Sequence, residues 1–147
     1  MILLDTTYIL PFYGLNIGIH NFENDFEEIL LSSQRLGISQ ISILEAKGKL
    51  SRILRNTKFI KNYELGFTTI TKSGRFEILD FVDSEIDRTS TKIYLFGHND
   101  LFDCIIAATA LKEAEVFVTE DAPLKKIMNK LFPEFQIMNW KEFKFIF

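Results

Sequence analysis

Apolar residues return along this chain in two rhythms. Short apolar-rich runs stand at positions 1–4, 38–41, 76–79, 115–118 and 135–138, and between them apolar positions recur every three or four residues. The short runs predict strands of the buried, parallel kind, and the longer stretches predict helices. One helix is expected over 22–36, where Phe22, Phe26, Ile29 and Leu30 share a face and Gly37 closes it. Others are expected from 42 to about 55, over 58–72 with a stop near Gly74, and from Val82 to Gly97. Two more cover 100–112 and about 123–131. Tyr8-Ile9-Leu10 begins a shorter helix that Pro11 and Gly14 cut short or bend, and residues 16–20 read as a loop. The 100–112 helix is apolar or small on every side after Asp103, so it belongs in the core.

Strands that alternate with helices form βαβ units. The expectation is one α/β domain over residues 1–147, a three-layer α/β/α sandwich around a mainly parallel sheet. The 147 residues are 47% apolar and include fifteen Phe, enough to fill one core. No apolar run nears the ~20 residues that span a bilayer. Residues 1–4 meet Asp5 at once, unlike a signal peptide. Cys104 is the single cysteine and reads as packing. A cytoplasmic protein without membrane contact is expected. The net charge of −3 excludes a general nucleic-acid footprint, so phosphates would be met by a local basic patch or through bound cations.

In open α/β sheets, sites form at the carboxyl ends of the strands. Asp5 follows the first strand, Glu45 lies in the first turn after the second, Asp103 begins the core helix, and Asp121 lies just past the strand at 115–118. Each has a plain structural reading. Ser42 and Glu45 have the spacing of a capping box, Asp5 and Asp121 can cap helices, and Asp100 or Asp103 can complement a helix dipole. Together, four acids on one edge repel one another unless a cation sits among them. An all-oxygen set suits Mg²⁺ or Mn²⁺.

These pieces resemble the PIN domain family, and in particular its small VapC-type prokaryotic members. The likeness rests on Leu4-Asp5-Thr6, on Glu45, on Asp103-Cys104-Ile105-Ile106-Ala107-Ala108-Thr109-Ala110 and on Val118-Thr119-Glu120-Asp121, in that order along the whole chain. The resemblance implies a metal-dependent ribonuclease in which Asp5, Glu45, Asp103 and Asp121 hold Mg²⁺ or Mn²⁺. It also implies that Thr6 and Thr119 orient the carboxylates. Asp100 is an outer ligand or only a cap, and either Glu120 or Asp121 turns inward. An RNA substrate, an antitoxin that covers the groove, and a homodimer follow from the same resemblance. The rival expectations are an RNA-processing PIN nuclease without antitoxin and a PIN-like binding module that holds no metal. A nucleotide-binding P-loop and a second Asp two positions after Asp5, as a dehalogenase-type phosphatase requires, are both missing.

Between positions 47 and 61 stand six basic residues and no acid. Lys49 and Arg52 lie four and seven positions after Glu45, on its helical face, and read as a phosphate track, a solvated face or a dock for an acidic partner. His20 and His98 read as loop residues without a metal-ligating partner. Trp140, Phe143, Phe145 and Phe147 form an apolar tail that belongs either to the core or to a dimer interface.

Overall fold

Strand β1 (Ile2–Leu4) is buried along its whole length, and it lies at the centre of the sheet. The computed structural model describes residues 1–51, 55 and 57–146. After β1, a 3-10 helix covers Thr6–Tyr13 and helix α1 covers Phe22–Leu31. The chain continues through β2 (Leu36–Ser39), α2 (Gln40–Leu50), α3 (Thr57–Lys72) and β3 (Phe76–Leu79). Helices α4 (Ser84–Leu95) and α5 (Leu101–Glu113) lead to β4 (Val116–Val118). Helix α6 (Ala122–Leu131), β5 (Gln136–Met138) and α7 (Trp140–Lys144) follow.

All five strands are parallel, in the order β3-β2-β1-β4-β5. Alternation along β1 divides the core. Ile2 and Leu4 join one apolar cluster with residues of the 3-10 helix, α1, α2, α3 and α7. Leu3 joins the other with residues of α4, α5 and α6. The result is the expected three-layer α/β/α sandwich. The chain builds outward from β1 to β3, then returns to the centre and builds outward again from β4 to β5. The point where that order reverses lies between β1 and β4, and crevices for ligands form there in such sheets.

Several boundaries differ from the sequence expectation. Helix α1 stops at Leu31 because Arg75, more than forty residues away, caps its end: the guanidinium donates to the carbonyls of Ile29 at 2.8 Å and Leu30 at 2.6 Å. Gly37 does not close a helix. It lies inside β2, where a Cβ would stand 3.1 Å from Met1 Sδ and 3.2 Å from Leu79 Cδ1. Strand β2 ends at Ser39 because its hydroxyl accepts from Ile41 N–H and starts α2. The predicted continuation of α2 to 55 includes residues outside those described. In α3, Gly66 lets the helix lie against the 3-10 backbone, since a Cβ there would collide with the carbonyl of Phe12.

Of the C-terminal aromatics, Phe147 lies outside the described residues and the others divide between core and surface. Trp140 and Phe143 are buried, with the Trp140 ring 4.5 Å from that of Phe22, and Phe145 is 81% exposed. Cys104 is buried, and burial pushes its thiol up to about 12, as befits a packing residue. Among the described residues, no helix is long and apolar enough to cross a membrane.

Candidate metal centre

Parallel pairing of β1 with β4 sets Asp5 beside the end of β4, where its N–H donates to the Val118 carbonyl at 3.0 Å. Asp5 is 7% exposed. Its Oδ1 accepts from Thr6 N–H at 2.7 Å and caps the 3-10 helix, and its Oδ2 accepts from Thr119 Oγ1 at 2.7 Å. Burial, helped by the charges of Asp103 and Glu45, raises this carboxyl to about 7 against the opposing hydrogen bonds from Thr119 and Thr6.

Glu45 comes from α2. Its Oε2 accepts from Thr6 Oγ1 at 2.5 Å, and its Oε1 pairs with Lys49 Nζ at 2.5 Å, one helical turn on. No capping box forms between Ser42 and Glu45. Ser39 caps α2, and the Ser42 hydroxyl is buried without a hydrogen-bond partner. Glu45 is thereby left free of the α2 backbone and available to the acids.

Asp103 stands in the first turn of α5. Asp100 caps that helix, accepting from Phe102 N–H at 2.9 Å and from Asp103 N–H at 3.4 Å. Burial raises the Asp103 carboxyl above its ordinary range; a hydrogen bond with His98 opposes this, and the charges of Asp100, Glu45 and Asp121 add to it. Asp121 caps α6 through Oδ1, which accepts from Leu124 N–H at 2.7 Å. Capping and clustering are therefore compatible. Asp121 spends one carboxylate oxygen on its helix and turns the other toward the neighbouring acids.

Glu120, next in sequence, goes elsewhere. Its Oε1 accepts from Tyr8 O–H at 2.8 Å and from Trp140 N–H at 2.8 Å. Of the two adjacent acids, Asp121 is the one beside Asp103. Lys49 lies beside Glu45 and is paired with it. Arg52 lies outside the described residues. A groove of about 460 Å³, lined by Leu44, Glu45, Gly48, Lys49 and Phe102, opens beside the acids.

His98 overturns its reading as a loop residue without a ligating partner. It does lie in the α4–α5 loop, but its ring is 7% exposed. Its Nε2 stands 3.2 Å from Asp103 Oδ2 and 3.7 Å from Asp121 Oδ2. The available signal was Gly97, whose φ of 121° turns the chain at the end of α4 and sends the next side chain inward. Helical spacing, the usual guide to metal ligands, does not apply across such a turn.

The residues present fit a divalent cation. Asp103 and Asp121 offer hard carboxylate oxygens beside His98, the charges of Asp103 and Glu45 reach Asp5, and burial pushes the Asp5 carboxyl up to about 7. One donor from each of His98, Asp103 and Asp121 lies within 4.8 Å of the other two.

Comparison with known proteins bears on this arrangement. The profile of the PIN domain matches residues 2–130. No curated protein matches the chain. Among solved structures, VapBC2 from Rickettsia felis, bound to a DNA fragment from its promoter, aligns with TM-score 0.65 and 23% identity over 95% of this chain and 99% of that one. FitAcB from Neisseria gonorrhoeae aligns with TM-score 0.66 and 22% identity, over 95% and 97%. VapC20 from Mycobacterium tuberculosis, a toxin that cleaves the sarcin-ricin loop, aligns with TM-score 0.59 and 14% identity, over 86% and 94%.

Proposed function

The chain belongs to the PIN domain family, and from that premise we propose that it is a metal-dependent ribonuclease, the toxin half of a toxin–antitoxin pair. In this reading Asp5, Glu45, Asp103 and Asp121 hold Mg²⁺ or Mn²⁺. The observation that supports it is the grouping of Asp103 and Asp121 with His98, near a buried Asp5 whose carboxyl is raised to about 7 by burial and by the charges of Asp103 and Glu45. A site that buries like charge at such cost is suited to receiving a cation.

When bound, the cation supplies Lewis acidity at the phosphate and a water acidic enough to attack near neutral pH. The chain's own groups prepare for it. Thr6 and Thr119 each donate to a carboxylate and fix its rotamer, at 2.5 Å to Glu45 and 2.7 Å to Asp5. Asp100 orders the first turn of α5 and so aims Asp103. Lys49 is 49% exposed on its side chain, and in this reading it releases Glu45 to meet an RNA phosphate.

An antitoxin partner is inferred from the solved structures of like fold, which include a toxin–antitoxin complex from Klebsiella pneumoniae (TM-score 0.52, 19% identity). In a homodimer the tail would contribute Phe145 and Ile146, which are exposed, and not the buried Trp140 or Phe143. The direct test is Mn²⁺-dependent cleavage of a structured RNA by the purified protein, with Asp103→Asn alongside and Mn²⁺ binding followed by calorimetry. Metal-dependent cleavage that vanishes in the variant supports the proposal. Failure of the wild-type protein to bind Mn²⁺ removes its basis.

A further inference from the structure

His98 is placed as a ligand would be. Its neighbours Gly97 and Asn99 are exposed, yet its ring is 7% exposed and turned into the acids. The same nitrogen, Nε2, faces two carboxylate oxygens, Asp103 Oδ2 at 3.2 Å and Asp121 Oδ2 at 3.7 Å. A single N–H satisfies one acceptor well and not two. Neither oxygen is used in capping: α6 is capped by Asp121 Oδ1, and α5 by Asp100. Each of the three residues offers a donor within 4.8 Å of the others, and the two oxygens at 3.2 Å and 3.7 Å from Nε2 are close enough to share one ion with it at bonds of about 2.0–2.2 Å.

We propose that His98 Nε2 is a ligand of the bound cation alongside Asp103 and Asp121, which makes the site a mixed nitrogen–oxygen centre that selects Mn²⁺ over Mg²⁺. This rests on the reading of the acids as a metal site and adds a donor of a different kind to it. Imidazole suits transition-metal ions, whereas Mg²⁺ prefers oxygen and keeps its water. The alternative role is a hydrogen bond from the ring to Asp103 that leaves the cation surrounded by oxygen alone.

Pulsed electron paramagnetic resonance of the Mn²⁺-loaded protein separates the two. Directly bound imidazole gives a ¹⁴N hyperfine coupling that is replaced by a ¹⁵N coupling when the histidines are isotopically labelled. The chain has two histidines, so His20→Gln must keep the signal and His98→Gln must lose it. In calorimetry, His98→Gln is expected to weaken Mn²⁺ binding by about 10–100-fold and Mg²⁺ binding much less. Labelling the unaltered chain keeps the test valid if His98→Gln fails to fold. Mn²⁺ bound without nitrogen coupling overturns the His98 assignment and leaves the acid site standing. Equal weakening of both ions by His98→Gln also overturns it. No Mn²⁺ binding at all overturns both readings.

Discussion

The two sides of the acid cluster are built on different supports. Asp5 and Glu45 are held by threonine hydroxyls, and Glu45 carries its own counter-charge in Lys49. Asp103 and Asp121 stand at helix N-termini, and their one ion-pair partner among the described residues is His98. The first side is ordered and half neutralised before any cation arrives. The second side is ordered by its helices but remains short of positive charge. Directional fixing and charge balance are thus separate tasks, and the molecule assigns them to different residues.

The largest expected effect lies on the second side. If the proposed function holds, Asp103→Asn should lower RNA cleavage by roughly 10³-fold or more, since several kcal/mol of transition-state stabilisation would pass through the cation. Single-turnover cleavage with saturating RNA measures it, and a loss below tenfold would make the two sides unequal in the opposite sense.

The first side should reveal itself in the pH dependence of the chelated protein. Folded Asp5 keeps its proton to about pH 7, whereas an unfolded Asp releases it near 3.8. Over that window the folded state binds more protons, so stability should fall as pH rises from about 4 to 7, by up to roughly 1.4 kcal/mol per pH unit. Asp103, raised in the same direction, adds to the slope. Urea titrations in EDTA should show this fall, and Asp5→Asn should flatten it. Stability that rises over the same range would contradict the burial of an uncompensated acid.

The adjacent pair Glu120 and Asp121 sharpens the comparison. Glu120→Ala strands the Tyr8 hydroxyl in the core and should cost about 1–3 kcal/mol in urea unfolding while Mn²⁺ affinity stays unchanged. A loss of Mn²⁺ affinity in that variant would put Glu120 back among the ligands. The smallest effect is expected at Lys49. Lys49→Gln should reduce the slope of log affinity against log salt by about 0.7 for single-stranded RNA, read from filter binding at several salt concentrations.

Most of the fold was legible because period and punctuation agree along the chain. All five strands and the main helices lie within a few residues of where apolar spacing puts them. The misplaced boundaries have distant or hidden causes. Arg75 ends α1 from the start of β3, and Gly37 lies inside a strand, where a Cβ would crowd two side chains that meet only after the sheet forms. The four acids were legible as candidates because each follows a strand or opens a helix. Which of Glu120 and Asp121 turns inward was not, because the answer depends on Tyr8 and Trp140, more than a hundred residues apart. His98 was hidden for a related reason: a turn at Gly97 carries it inward, and a turn leaves no periodic trace.

The grip on Glu120 has a consequence for how the molecule can be handled. Trp140 reaches that acid with its backbone N–H, so a neighbour of the acid cluster is moored to a helix beyond the span the PIN domain profile covers. Tags, fusions or truncations placed next to this helix therefore pull on the same rope as the acids. A protein engineered at its far end would be expected to report the disturbance first as a misaligned Asp121, long before the sheet itself gave way.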